Sequence, residues 1–486
     1  MDNLKSLWDL LDQGDVKFSD VEWKDEYYRL LTSPVNANAS VNTKALLQKL
    51  YFLQGKTILT GQHEYLEVPY QYAAQIFNAT GKWPTIKGVE FGGITGQSES
   101  TLASQRQNVI EACKGTHNSG GYVTATYHAA YPGGAQTWEN VKRATTQDEF
   151  NQIITPGTSL YNALISDLDK VAVYLKQLAV LDIPVLWRPY HEMNGGWFWW
   201  GQKSNFSELW DIMYDRFTKY HKLNNLIWVW CPNAKNAWCD PIANFYVGHG
   251  KTDVLALDIY DNDFKQSHHD EVWNLGKGKL IAIGENGQLP SIATLSTTQN
   301  KYSWNLTWGS LLNEKNTAAT INSFYNNNYV LNRGQVYTPP APPSASGDGL
   351  LGEYFSGINF NILKETRIDS NVNFMWNQAA PFASMTVDNF TVRWTGFVKP
   401  LFTEEYTFYT KTDDGARLWV NDVLLVDQWN KQSFVEWNGK ITLQANTKYS
   451  IKMEFLEIGG DARSLLYWSS ASQPKQIIPQ SQLFTQ

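Results

Sequence analysis

Through the first two thirds of the chain, short β-branched or aromatic runs alternate with longer stretches whose apolar residues recur every three to four positions. That alternation is the mark of repeated strand–helix units feeding one parallel sheet. Eight such runs lie near Thr57–Gly61, Ile86–Phe91, Tyr122–Tyr127, Ile183–Pro189, Leu226–Trp230, Val254–Ile259, Leu280–Ile283 and Ser303–Trp308, each closing in polar, aromatic or glycine residues. Between the third and fourth, Leu160, Leu164, Ile165, Leu168, Val171, Ala172, Leu175, Leu178 and Ala179 share one helical stripe, as expected of a helix laid against a barrel. Eight units favour a closed (β/α)8 barrel. An open doubly wound sheet is the alternative, but the chain has no glycine-rich phosphate loop to support it.

The pattern changes after residue 337. Residues 338–347, Thr-Pro-Pro-Ala-Pro-Pro-Ser-Ala-Ser-Gly, cannot join a helix or a central strand and read as a linker. Beyond it the period falls to two, as in Glu405-Tyr406-Thr407-Phe408-Tyr409-Thr410 and Ala416-Arg417-Leu418-Trp419-Val420. Antiparallel strands buried on one face follow, so residues 348–486 are expected to form an all-β sandwich. Residues 1–34 carry a short amphipathic pattern (Leu4, Leu7, Trp8, Leu11) and read as an extension docked on a barrel of residues 35–337. A length of 486 residues accommodates a barrel and a smaller module.

Composition narrows the function. The net charge of −7 and the lack of a basic run oppose binding to a phosphate backbone, so nucleic acid is excluded as a partner. No stretch reaches the roughly 20 apolar residues needed to span a bilayer, and no membrane partner is expected. The 21 Trp and 25 Tyr stand out, because many cluster in polar segments where a core has no use for them. Sugar sites are built this way, with the apolar face of a pyranose on an indole and its hydroxyls on polar neighbours. Three cysteines, Cys113, Cys231 and Cys239, cannot all pair; Cys231 and Cys239 could bridge one loop. The first residues lack the basic start and apolar core of a signal peptide, so export is inferred from function alone.

On a barrel, polar residues at the C-terminal ends of strands face the substrate. The fourth run continues as Trp187-Arg188-Pro189-Tyr190-His191-Glu192-Met193-Asn194-Gly195-Gly196-Trp197-Phe198-Trp199-Trp200-Gly201, and the seventh as Ile281-Ala282-Ile283-Gly284-Glu285-Asn286-Gly287. Cleaving an equatorial glycosidic bond with retention takes one carboxylic acid to protonate the leaving oxygen and one carboxylate to attack the anomeric carbon, about 5–5.5 Å apart. Strands four and seven can place Glu192 and Glu285 across a sugar ring in that way.

The block from Arg188 to Gly201 resembles the acid/base signature of glycoside hydrolase family 26, and Ile283-Gly284-Glu285 resembles its nucleophile strand. Thr43-Lys44-Ala45-Leu46-Leu47 with Thr60-Gly61-Gln62-His63, and Trp304-Asn305-Leu306-Thr307-Trp308, resemble its first and last segments, so the likeness covers most of residues 42–337. The resemblance implies a β-mannanase with Glu192 as acid/base and Glu285 as nucleophile. It implies that His191 bonds the sugar or the nucleophile and that Tyr260, in Asp258-Ile259-Tyr260-Asp261, bonds the nucleophile. His128 would line the cleft, and Trp197 and Trp308 would stack on sugars. Arg188 is expected to hold the catalytic carboxylates through bidentate bonds. Trp199, Trp200 and Trp238 either extend the aromatic platform or pack under a loop. The chain departs from the family pattern at Thr126-Tyr127-His128-Ala129-Ala130-Tyr131, where a Trp before the His is more usual, and at Glu90, where Asp is common.

Residues 349–470 resemble the protective-antigen-like β-sandwich family through Gly352-Glu353-Tyr354-Phe355, Val392-Arg393-Trp394-Thr395-Gly396 and Thr412-Asp413-Asp414-Gly415-Ala416-Arg417-Leu418-Trp419. This implies carbohydrate binding, and Asp413 and Asp414 are candidate Ca²⁺ ligands, the alternative being a tight turn that uses Asp-Asp-Gly. The expected whole is a secreted, monomeric, retaining endo-β-1,4-mannanase that needs no cofactor for catalysis. β-1,3-Xylanase and mixed-linkage β-glucanase activity are alternatives on the same carboxylate pair, and a lectin or adhesin without catalysis is the alternative of another class.

Overall fold

A computed structural model describes residues 29–337 and 347–486. The amphipathic pattern at Leu4–Leu11 and most of the Pro/Ser segment lie outside the described residues. The chain divides into two units, residues 1–337 and 338–486.

In the first unit eight parallel strands close into a barrel: β1 Gly61–His63, β2 Ile86–Glu90, β3 Tyr122–Tyr127, β4 Val185–Pro189, β5 Leu226–Trp230, β6 Val254–Ile259, β7 Leu280–Asn286 and β8 Thr307–Trp308. Closure is made by β8 on β1, with Gln62 opposite Thr307 and His63 opposite Trp308. Alternation sorts the side chains into two cores. Leu186, Ile227, Val229, Cys231, Val254, Ala256, Leu280 and Ala282 fill the barrel interior, while Val123, Ala125, Val185, Trp187, Trp228 and Trp230 face the surrounding helices. The long helix Ser159–Val180 begins where the Thr158 side chain accepts from the Tyr161 amide, and it buries Leu164, Leu168, Val171, Ala172, Leu175 and Leu178 against that outer layer.

The first strand lies later than the apolar run suggests. Ile58 and Leu59 pair in parallel with Val330 and Leu331 in a separate two-stranded sheet, and the barrel strand itself is the polar Gly-Gln-His that follows. The eighth is confined to Thr307 and Trp308.

The second unit is all β. Its larger sheet runs Ile362–Asp369 (β10), Leu350–Ser356 (β9), Phe390–Val398 (β12), Tyr449–Glu457 (β17), Gly415–Val420 (β14) and Val423–Gln428 (β15), with Leu483–Phe484 (β20) added beside β12. The smaller runs Asn373–Asn377 (β11), Ala462–Ser469 (β18), Glu404–Asp413 (β13) and Val435–Leu443 (β16), with Gln476–Ile477 (β19) beside β18. Inward residues of both sheets, among them Tyr354, Trp394, Phe408, Leu418, Met453, Phe455 and Trp468, form one core. At one edge of that core the Asp369 carboxylate accepts from Tyr354 Oη (2.6 Å), Trp394 Nε1 (2.7 Å) and Arg367 Nε (2.8 Å).

Candidate active site

The C-terminal ends of the barrel strands carry the polar groups. Inward parity on β4 gives Leu186 and then Arg188; on β6 it gives Val254, Ala256 and Asp258, with Tyr260 next beyond the strand. On β7 the parity breaks. Leu257 faces Ile283, but Asp258 faces Glu285, so Gly284 is the extra residue of a bulge. A Cβ at Gly284 would lie 2.3 Å from Cys231 Sγ and 2.7 Å from Asp258 Oδ1. Glycine therefore lets the strand pass over this crowded layer, and the bulge turns the next side chain, Glu285, to the same centre.

Glu285 is buried and held on both oxygens. Arg188 Nη2 donates to Oε1 at 2.5 Å, and Tyr260 Oη donates to Oε2 at 2.5 Å. His191 Nε2 stands 3.7 Å from Oε1. The other arm of the Arg188 guanidinium reaches Asp258 at 3.3 and 3.4 Å, and the Cys231 thiol donates to Asp258 Oδ1 at 3.1 Å. Arg188 thus joins Glu285 to Asp258 and not to Glu192. Asp258 carries no predicted role in the sequence, although its position two residues before Tyr260 puts both on the same face of the strand.

Glu192 enters from the segment after β4, where Tyr190 and Glu192 both take positive φ, +47° and +55°. This conformation costs a branched-free L residue about 1–3 kcal/mol and persists only where the surroundings fix it. Here the Glu192 amide donates to Cys231 O (2.7 Å), and the Gly195 amide donates to Glu192 O (3.0 Å). The carboxylate accepts from Trp197 Nε1 at 2.6 Å. Burial first, then the charge on Glu285, push the Glu192 pKa up to about 7, with the Trp197 bond opposing. A Cβ on Gly195 would come 2.1 Å from the Trp197 ring, so glycine there makes room for the indole.

A polar layer adjoins the pair. Glu90 is held anionic, near 2, chiefly by His128 working against burial, and it accepts from the Gly92 and His128 amides, from Thr126 Oγ1 and from His128 Nδ1 at 2.6 Å. Its longer arm, the departure noted at this position, reaches all four donors. The Glu90 charge in turn raises His128, whereas burial with His128 and Arg188 nearby drives His191 well down. His128 packs edge-on to His191 at 4.4 Å between ring centres, and Trp308 stacks on His63 at 4.0 Å. His63, whose pKa burial lowers to about 3, shares a 2.9 Å bond with Thr126. Neither His63 nor Thr126 carries a chemical signal of its own in the sequence.

The aromatic run divides. Trp199 and Trp200 are fully buried, their indole N–H groups donating to Ala129 O and His191 O, so they are packing. Trp197 and Trp308 are half-buried. The suggested Cys231–Cys239 bridge is not formed: all three cysteines are free, with Cys231 turned inward under Asp258 and Cys239 accepting from Asn233 Nδ2. Among the described residues one set of metal-type ligand atoms, from His191, Asp258 and Glu285, lies within 4.8 Å. The Arg188 guanidinium already stands against both of its carboxylates, which fills the cationic position.

In the second unit Asp413 and Asp414 are joined by a cis peptide bond at the turn from β13 to β14. Asp414 is buried and accepts from the amides of Gln432 (3.0 Å), Ile458 (2.9 Å) and Gly459 (3.4 Å). Beside it Glu457 is buried with no hydrogen-bond partner on either carboxylate oxygen. Burial and the charges of Asp414, Asp413 and Asp388 push its pKa up to about 8.

A closed parallel barrel with two buried glutamates at its C-terminal mouth, one raised toward neutrality and one gripped by Arg and Tyr, defines the class of barrel hydrolases that work by paired carboxylates. Residues 35–335 match the family Glycosyl hydrolase family 26, and residues 346–482 match the PA14 domain. The chain belongs to glycosyl hydrolase family 26, and a PA14 domain follows the family region. A mannan endo-1,4-beta-mannosidase of Bacillus subtilis is 31% identical over 333 residues, 63% of this chain and 89% of that protein. One of Thermothelomyces thermophilus is 31% identical over 317 residues, 62% of each chain, and the anti-sigma-I factor RsgI3 of Acetivibrio thermocellus is 48% identical over 141 residues. The chain spans only 22% of the anti-sigma factor and 62% of the Thermothelomyces enzyme. Among solved structures, GH26A of a Muricauda species superposes with a TM-score of 0.59 at 34% identity, covering 62% of this chain and all of that one. A Podospora anserina GH26-CBM35 beta-(1,4)-mannanase follows with 0.54 at 32%, covering 62% and 68%.

Proposed function

We propose that this chain is a retaining endo-β-1,4-mannanase in which Glu192 is the acid/base and Glu285 the nucleophile. The observation that carries the proposal is the asymmetry of the pair: Glu285 receives two short charge-stabilising bonds from Arg188 and Tyr260, while Glu192 is raised to about 7 by burial and by Glu285. In the first step Glu285 attacks the anomeric carbon and the glycosidic C–O bond breaks, the leaving oxygen taking the proton from Glu192. Transfer of charge out of Glu285 lowers the Glu192 pKa, so Glu192 then removes a proton from water, which opens the glycosyl ester and restores both residues. His128, His191, Trp197 and Trp308 bind the sugars flanking the bond. Mannan is preferred to β-1,3-xylan or mixed-linkage glucan because the relatives are named as mannan endo-1,4-beta-mannosidases. All groups of the pair come from one chain, in keeping with a monomer, and a polymeric substrate too large to enter a cell is in keeping with secretion.

Reducing-sugar release from glucomannan, galactomannan, lichenan and β-1,3-xylan tests this. Mannans should be cleaved fastest, and Glu285→Ala should lose about three orders of magnitude or more in kcat/KM. Preference for xylan or lichenan would overturn the substrate, and a fully active Glu285→Ala would overturn the mechanism.

We further propose that the second unit binds carbohydrate and takes Ca²⁺ at Asp413 and Asp414. The partnerless buried oxygens of Glu457 beside the two aspartates suit a hard cation; the bound ion would hold the carboxylates together and offer open positions to sugar hydroxyls. Calorimetry should show Ca²⁺ binding that Asp413→Ala abolishes, and no heat on adding Ca²⁺ would remove this assignment.

A further inference from the structure

The loop after β5, residues 231–240, is fastened on two sides. Towards β6, Asn233 bridges Asp258, and the Ala234 amide donates to Asp258 O at 2.9 Å. Towards the acid/base segment, Asn194 ties the loop down: its Nδ2 donates to Asn233 O (2.9 Å) and Asp240 O (3.3 Å), its Oδ1 accepts from the Asn233 amide (2.8 Å), and its carbonyl accepts from the Asp240 amide (2.9 Å). Cys239 pairs with Gly195, which lies against Trp197. The base is therefore rigid and anchored within three residues of Glu192. At the tip, Lys235, Asn236, Ala237 and Trp238 are exposed, Trp238 to 79%. Its amide is fixed by Asn236 Oδ1 at 2.8 Å.

A rigid loop that presents an indole to solvent leaves a large apolar surface unburied, and burying such a ring is normally worth more to a fold than exposing it. Trp199 and Trp200, 39 and 38 residues earlier in the chain, are by contrast fully buried. We infer that Trp238 is the stacking platform of a distal sugar subsite on the Glu192 side of the cleft, beyond the sugars that flank the scissile bond, and that it sets the preference for long chains. The inference rests on the β-mannan-cleaving reading above. An exposed indole offers a face to the apolar side of a pyranose and asks for no particular hydroxyl, so it suits a repeating polymer better than a defined short ligand.

The test compares wild type, Trp238→Ala and Trp238→Phe on mannotriose, mannohexaose and glucomannan. Because Trp238 is exposed, both variants should melt at the same temperature as the wild type. Trp238→Ala should raise KM about tenfold on mannohexaose and glucomannan with kcat unchanged, leave mannotriose unaffected, and be largely rescued by Trp238→Phe. An unchanged KM on mannohexaose, or an equal loss on all lengths, would overturn the subsite. Wild type inactive on every mannan would instead overturn the substrate reading, and the same length series on whichever β-glycan is cleaved would then decide for or against Trp238.

Discussion

Removing the bond from Trp197 to Glu192, the proposed acid/base, should move the alkaline limb of the pH profile upward. Trp197 Nε1 donates to Glu192 Oε2 at 2.6 Å and favours the ionised carboxylate. In the role of general acid proposed for it, Glu192 starts protonated, so kcat/KM should fall as pH rises through its value of about 7. In Trp197→Phe the ring face survives but the donor is gone, and the carboxylate loses stabilisation only in its charged form. A hydrogen bond to a charged group is worth about 1.5–3 kcal/mol in a buried site. Glu192 is 8% exposed and water can replace part of the lost bond, so about 1.4 kcal/mol, or one pH unit, is the expected shift. The sign is fixed by the physics: a carboxylate deprived of a donor titrates higher, and the limb moves to higher pH. Initial rates on glucomannan from pH 5 to 10, at substrate well below KM, read the shift separately from any loss in height. A limb that stays in place, or moves to lower pH, would show that Glu192 is not the group that titrates or that Trp197 does not hold it.

Two other substitutions probe the geometry. Gly195→Ala places a methyl 2.1 Å from the Trp197 ring, so the indole must swing away; kcat/KM should drop about tenfold and the alkaline limb should move the same way as in Trp197→Phe, a coincidence that pH profiles of both variants check. Asp369→Asn turns an acceptor of three donors in the second unit into a group carrying its own donor; it should cost about 2 kcal/mol in urea denaturation followed by near-ultraviolet dichroism, while hydrolysis by the barrel is retained.

Strand order, and the placing of Glu192 and Glu285 at one end of the barrel, are legible because the barrel repeats its unit and the strand ends concentrate polar and aromatic residues. Period two likewise announced the second unit. Strand limits were harder. Ile58 and Leu59 look like a barrel strand by apolar content, yet they pair with Val330 and Leu331, and the barrel continues through Gln62 and His63; a two- or three-residue strand has no periodicity to read. The partner of Arg188 was also hidden, since three carboxylates compete for one guanidinium and only the β7 bulge at Gly284 decides that Glu285 and Asp258 receive it. Composition could not separate Trp199 and Trp200 from Trp238, because the same indole is buried or exposed according to what the fold places above it.

The free sulfurs of Cys113, Cys231 and Cys239 carry a consequence for how the catalytic unit is held together. No covalent clasp ties the acid/base segment to its neighbouring loop; the Asn194 side chain does so with ordinary dipoles. The catalytic centre should therefore assemble alike under oxidising and reducing conditions, and dithiothreitol should leave turnover untouched. Bulky thiol reagents should reach Cys239 at the rim long before Cys231, which lies sealed beneath the reaction centre.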